Sequence, residues 1–353
     1  MIDITEMDKG GNRMINFCEY LKDYLEFNNI SQTEFAMRMG ISQKHMNELL
    51  NGKKNVTAEM AANIERLTGI DSGFILKIEN SKRISDKIIE KYKNEKNLEK
   101  SINEEYCINE LKKNKWINFK DETNILQVCI DLLDFLKIKD FDVIENLEKQ
   151  VLFKKSGTDF KKLALWIAHC DEIASMQKVN QYNRYNFEFL IGDLKEEAYK
   201  NNINKEKVQE IFNSYGIFFV SEKAMTGTKV RGCFKVKGKN PAIYITDNYA
   251  GKDSFYYEIF HELGHCKSNY NEAKNKVIVD GTEEQEKKAD KFALNTMIDE
   301  ETWNKISKEK INEEKLLQIS EEYKIPVSFI IGRLARTGNI KYNSRIYQKY
   351  SKI

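Results

Sequence analysis

At 353 residues the chain exceeds what a single hydrophobic core usually sustains, so two or three domains are expected. Apolar residues make up 41% and charged residues 32%, which suits packed soluble domains and excludes a disordered polyelectrolyte. Basic and acidic side chains nearly cancel, 57 against 55, so global charge names no partner and any nucleic-acid-binding surface must be local. No apolar run reaches the ~18 residues of a membrane helix. Met1 to Arg13 is polar and mildly acidic, unlike a secretory signal, so a cytoplasmic location with no membrane partner is expected. The six cysteines, at 18, 107, 129, 170, 233 and 266, form no C-x-x-C pair and read as reduced, partly buried hydrophobes.

Helical periodicity dominates, and the fold class expected is mainly α with a small β-sheet. Met14 to Phe27 places Ile15, Cys18, Leu21 and Leu25 on one helical face. Ser31 can cap a second helix through Phe35, Ala36 and Met39, with Glu34 completing a capping box and Gly40 as a left-handed terminator. Ser42 caps a third, through Met46, Leu49 and Leu50, closed by Gly52. Thr57 caps a fourth, through Met60, Ala61, Ile64 and Leu67, closed by Gly69. The second and third helices meet at Gly40-Ile41-Ser42, the spacing of a helix-turn-helix.

Residues 81–115 are dense in charge and read as a solvated helix or linker. Residues 116–212 carry apolar helical stripes, among them Ile125, Cys129, Leu132, Leu133 and Leu136, then Leu163, Leu165, Trp166 and Ile167. His169, alone on that apolar stretch, is expected to be structural. The pattern then changes: 216–221, 231–236 and 242–246 read as three strands punctuated by Gly227, Gly232 and Gly238. Ser254 reads as the cap of an amphipathic helix from Phe255 to Cys266.

That helix holds His261-Glu262-Leu263-Gly264-His265, two of the four histidines in the chain, in the pattern H-E-x-x-H. One helical turn separates the histidines, so both imidazoles can reach one ion, while Glu262 points off that axis. A catalytic zinc needs a third protein ligand and an open position for a water, whose pKa it lowers to about 7. Glu262 would act as the base that takes the water's proton and passes it to the leaving amine. The best third ligand is Glu286, which shares a helical face with Ala289, Asp290, Ala293 and Met297; Glu272, Glu283 and Glu284 lie in more polar context. Asp290 would orient a histidine by accepting its second N–H. Cys266 follows His265 directly but points about 100° away. Tyr256, Tyr257 and Tyr270 are all candidates to stabilise an oxyanion, and spacing does not choose among them.

Residues 163–340 resemble the ImmA/IrrE family of metallopeptidases. The resemblance rests on the strand-rich lead-in, on Phe260-His261-Glu262-Leu263-Gly264-His265, and on Glu286-x-x-Ala289-Asp290-x-Phe292-Ala293. Asp290 stands where that family usually has asparagine, and its usual Leu-Met-Pro is here Thr296-Met297-Ile298. Leu316 through Leu334 is similar to its C-terminal helices. The resemblance implies a zincin-like domain, a zinc cofactor held by His261, His265 and Glu286, and a cytoplasmic regulator that causes cleavage of a repressor.

Residues 14–80 resemble XRE-type (Cro/lambda-repressor-like) domains, within them the HigA antitoxin branch, through Ile30-Ser31-Gln32-x-Glu34-Phe35-Ala36-x-Arg38-Met39-Gly40-Ile41-Ser42 and Asn47-Glu48-Leu49-Leu50-Asn51-Gly52-Lys53. In such modules the second helix of the pair enters the major groove. The residues this places at DNA are Ser42, Gln43, Lys44, His45 and Asn47, with Gln43 or Asn47 suited to adenine and Lys44 to guanine or phosphate. Gln32, at a helix start, and Lys53 and Lys54, in the following loop, would meet phosphates.

The organisation expected is therefore a helix-turn-helix bundle (14–80), a helical middle region (81–162) and a metallopeptidase domain (163–340). The function expected is a DNA-binding regulator whose zinc endopeptidase cleaves a protein partner, a repressor or toxin, with operator DNA as second partner and a possible homodimer. A HigA-like antitoxin or repressor with a weak or non-catalytic metal site is the alternative. A housekeeping peptidase whose N-terminal bundle docks protein is a third reading.

Overall fold

The computed structural model describes residues 17–148, 151–152, 159–200, 203–279 and 281–351. The expected helical positions 14–16, with Met14 and Ile15, lie outside them. The chain divides into two compact units, Met1–Glu104 with Ile117–Asp134, and Glu105–Trp116 with Phe135–Ile353.

The first unit opens with α1 (Phe17–Phe27), α2 (Gln32–Arg38), α3 (Gln43–Leu50), α4 (Ala58–Thr68) and α5 (Ser72–Tyr92). The predicted caps form: the hydroxyls of Ser31, Ser42 and Thr57 accept from the amides of Glu34, His45 and Met60 at 3.1, 3.1 and 3.2 Å. Gly40, Gly52 and Gly69 take φ of 66°, 68° and 77°, the left-handed conformation that only glycine adopts without strain. Glu34 does not complete the expected capping box; its carboxylate turns to Arg38 at 2.5 Å instead. Phe17, Leu21, Phe35, Met46, Leu49, Ile64 and Ile75 close one core. The charge-dense segment after residue 80 is not a bare linker. It continues α5 and leads into α6 (Leu98–Glu105), where Leu98 and Ile102 are buried, and then into α7 (Ile108–Asn114) of the second unit, where Ile108 and Leu111 are buried. Apolar residues three or four apart give even this lysine-rich stretch a core-facing stripe. Next comes α8 (Ile125–Leu136).

In the second unit α9 (Ile144–Glu148), β1 (Val151–Leu152), α10 (Phe160–Met176), α11 (Phe187–Lys200) and α12 (Lys205–Ser214) lead to β2 (Phe218–Glu222), β3 (Gly232–Lys237) and β4 (Asn240–Thr246). These three strands match the expected sheet, and two-residue strands, β1 and β5 (Val277–Ile278), extend it to the order β1-β5-β3-β4-β2. Strands β3 and β4 form an antiparallel hairpin around Gly238, whose φ of 65° suits a two-residue turn. Alternation splits the faces. Phe219, Phe234, Ile243 and Ile245 join the main core, while Lys235 and Tyr244 meet Asp171 of α10 at 2.8 and 2.7 Å. His169 lies flat on Trp116, with centroids 4.3 Å apart.

The H-E-x-x-H helix, α13, runs from Lys252 to Asn269. Two expectations are corrected here. Its cap is Gly251, not Ser254, which lies inside the first turn; a side chain at 251 would run into the Ser351 carbonyl. Nor is the helix amphipathic in place: every residue from Phe255 to Cys266 is buried, so it is a central core helix. After β5 come α14 (Glu283–Met297), α15 (Glu300–Ile306), α16 (Glu313–Tyr323), α17 (Val327–Arg336) and α18 (Arg345–Tyr350). Arg333 of α17 donates to the carbonyls of Leu294 and Ile298, closing the end of α14.

Candidate metal centre and nucleic-acid interface

Helices α13 and α14 pack closely enough that a Cβ on Gly264 would lie 2.9 Å from Ala289 Cα. That approach brings His261, His265 and Glu286 together. The two Nε2 atoms are 3.2 Å apart, His261 Nε2 is 3.3 Å from Glu286 Oε2, and His265 Nε2 is 3.2 Å from Glu286 Oε1. Tetrahedral zinc with bonds of about 2.0–2.1 Å separates its donors by about 3.3 Å. The donor set and its spacing therefore fit zinc. Glu286 Oε1 also accepts from the Gly281 amide at 2.5 Å, which fixes the carboxylate.

Around these three residues the other ring nitrogens are held. His261 Nδ1 lies 2.9 Å from Asp290 Oδ1, which also accepts from the Tyr257 hydroxyl at 2.5 Å. His265 Nδ1 lies 3.3 Å from Asn269 Oδ1. Glu262, 2% exposed, sits against β3 where a Cβ on Gly232 would lie 2.5 Å from its Oε1. The carboxylate thus occupies space that only glycine leaves open. Arg231, Gly232, Tyr257, Glu258, Val279, Asp290 and Arg336 join Glu262, His261 and Glu286 in lining a cavity of about 350 Å³, while His265 lies behind it, 1% exposed.

The other acidic candidates are engaged elsewhere. Glu272 accepts from Gln285 at 2.8 Å, and Glu283 and Glu284 pair with Lys287 and Lys288 at 2.6 and 2.7 Å. Cys266 Sγ lies 3.8 Å from the Tyr182 hydroxyl, away from the triad. Of the three tyrosines only Tyr257 lines the cavity; Tyr270 donates to the Lys239 carbonyl at 2.7 Å, and Tyr256 is wholly buried.

Without metal, burial lowers the His261 pKa, but its bonds to Asp290 and Glu286 prevail and raise it to about 10. Glu286, despite burial, is held well below the carboxylate range by both histidines, and Asp290 is lowered chiefly by His261. A raised histidine pKa contributes stability that is complete below its unfolded value of ~6.5 and is lost as pH rises through the folded value. The two depressed carboxylates act oppositely, losing their contribution only in acid. Zinc takes the neutral imidazole, so binding strengthens as pH rises. The difference in Tm between zinc-loaded and chelator-treated protein is therefore expected to widen from pH 7 to pH 10. A difference that stays constant or narrows would contradict the assignment of His261 as a ligand.

On the first unit, Gln43, Lys44 and Asn47 are exposed on α3, as are Gln32 and Lys53. His45 is half-buried, and the Ser42 hydroxyl is occupied as the cap. Asn47 Oδ1 accepts from Asn51 at 2.5 Å, leaving its amide nitrogen toward solvent. Lys54 pairs with Glu48 at 3.2 Å, and that bond is the main reason the Glu48 pKa is lowered. Exposed pairs of this kind are weak, so a phosphate can displace the glutamate.

Sequence reasoning missed Arg231, Gly232, Glu258 and Arg336 as cavity residues. Arg231 pairs with Glu258 at 2.9 Å, and Arg336 stacks on Tyr257 with its guanidinium carbon 3.7 Å from the ring centroid. The only signal was a glycine inside a strand pattern, which often marks a close approach.

A helix-turn-helix family model matches residues 21–75, and a model of the IrrE N-terminal-like domain matches residues 212–335. No curated protein matches the chain. The chain joins a helix-turn-helix domain to an IrrE N-terminal-like domain.

Proposed function

We propose that this protein is a DNA-binding regulator carrying a zinc-dependent endopeptidase that cleaves a protein partner such as a repressor. His261, His265 and Glu286 would hold the zinc, which when bound acts as a Lewis acid and acidifies a water. Glu262 accepts the proton of the attacking water and returns it to the leaving amine nitrogen. Asp290, fixed by Tyr257, keeps His261 in the orientation and tautomer that offer Nε2. The single observation that carries this reading is the buried Glu262 beside the triad, in a place kept open by Gly232. A purely structural zinc site needs no base.

The helix-turn-helix brings the peptidase to an operator. Tight binding by such domains usually takes two half-sites, so the protein acts as a dimer. Gel-shift titrations on the DNA upstream of its own gene test this arm. Gln43→Ala is expected to cost ~1–3 kcal/mol at cognate sequence alone. Lys44→Ala is expected to weaken all DNA and to reduce the slope of log K against log salt by about 1. Indifference of affinity and slope to both changes would remove the DNA reading. Regulation that persists in a Glu262→Gln chain still binding zinc would leave a repressor with a non-catalytic metal site.

A further inference from the structure

Every carboxylate lining the metal cavity is engaged. Glu258 holds Arg231, Glu286 bridges the two histidines, Asp290 joins His261 to Tyr257, and Glu262 is buried against Gly232. Among the described residues Arg336 is the one cationic side chain of the lining without a carboxylate in ion-pair reach. Its contact is the Tyr257 ring, at 3.7 Å. Arg336 also hydrogen-bonds the Tyr257 hydroxyl; because stacking uses the face of the guanidinium, its remaining N–H groups are left to bind a carboxylate.

The position is also firm. Arg336 ends α17, whose Phe329, Ile330, Ile331 and Leu334 are buried in the same core as α13. One turn earlier Arg333 is bonded to the end of α14. The two helices that bear the candidate ligands therefore fix the segment that carries Arg336. The Tyr257 centroid is 6.2 Å from that of His261. Together with the stacking distance, this keeps the guanidinium within about three residues of extended peptide from the triad.

We propose that Arg336 is a specificity-determining residue that binds an acidic side chain of the protein substrate within about three residues of the bond to be cut. The inference rests on the peptidase reading above and names the substrate class for it.

The test measures binding to the zinc-loaded full chain by calorimetry. One probe pair is acetyl-Glu-Gly-Gly hydroxamate and its Gln counterpart; the other is succinyl hydroxamate extended by Gly-Glu or by Gly-Gln. The two pairs extend to opposite sides of a metal-anchored group. In one pair the Glu probe is expected to bind about tenfold or more tighter than its Gln twin. Arg336→Gln is expected to abolish that preference while leaving the Gln-probe affinity and zinc content unchanged, and Arg336→Lys to retain part of it. Equal binding of Glu and Gln probes in both pairs overturns the proposal with the peptidase reading intact. Loss of zinc in Arg336→Gln overturns it in favour of a positioning role through Tyr257 and Asp290. Zinc-loaded protein that binds none of the four probes overturns the peptidase reading and the proposal with it.

Discussion

A Glu262→Gln chain is expected to keep its fold and its zinc and to lose cleavage of its protein substrate by about 10²–10⁴-fold, the usual worth of a general base. Glutamine matches glutamate in shape, so the space beside Gly232 stays filled and no cavity opens. None of the three candidate ligand atoms belongs to Glu262, so metal content is expected to be unchanged. What disappears is the acceptor for the water's proton. The measurement pairs zinc stoichiometry by elemental analysis with single-turnover cleavage. Cleavage at the wild-type rate with zinc bound would sink the assignment of Glu262 as base. Loss of zinc together with cleavage would show instead that Glu262 supports the site structurally.

The second large effect is expected at Gly264. An alanine there would bring its Cβ within 2.9 Å of Ala289 Cα and 3.3 Å of the Ala289 carbonyl oxygen. Both are backbone of a neighbouring helix, which cannot rotate away as a side chain can. Helices α13 and α14 must separate, at a cost of about 1–3 kcal/mol of folding stability. The same displacement carries His265 away from Glu286, so zinc affinity is expected to fall in parallel. Chemical denaturation and a metal-competition titration measure the two effects. Gly192→Ala is the control: it lies inside α11 with nothing within 4 Å of the added Cβ, and helix propensity there favours alanine by ~0.5–1 kcal/mol. A Gly264→Ala protein as stable as wild type would mean that the close helix approach is not needed.

Much of the site was legible because its residues sit at helical spacing. His261 and His265 share one turn of α13, and Glu286 and Asp290 share one of α14, so local periodicity put each pair on a face. Short caps were legible for the same reason: Ser31, Ser42 and Thr57 act within three residues. Gly232 and Arg336 were not legible as site residues. One is brought to Glu262 by the β-hairpin and the other to Tyr257 by the packing of α17, and neither contact has a local period. Strands β1 and β5 escaped because two residues cannot show alternation. The burial of α13 on all sides escaped because its polar positions read as a solvent face, whereas Glu258, His261 and Glu262 line a cavity and His265 is buried behind it.

The path of the backbone has a consequence for how this protein can be taken apart. The segment Glu105–Trp116 belongs to the second unit, whereas the residues on both sides of it belong to the first. Its ties run within the second unit: Glu105 to Lys161, Glu110 to the amide of Thr226 at 2.8 Å, and Trp116 to His169. The chain accordingly passes between units three times, and the third passage lies inside α8. No single cut yields two complete pieces. A truncation after Glu104 would leave the first unit without Ile117–Asp134, and one before Phe135 would leave the second without Glu105–Trp116.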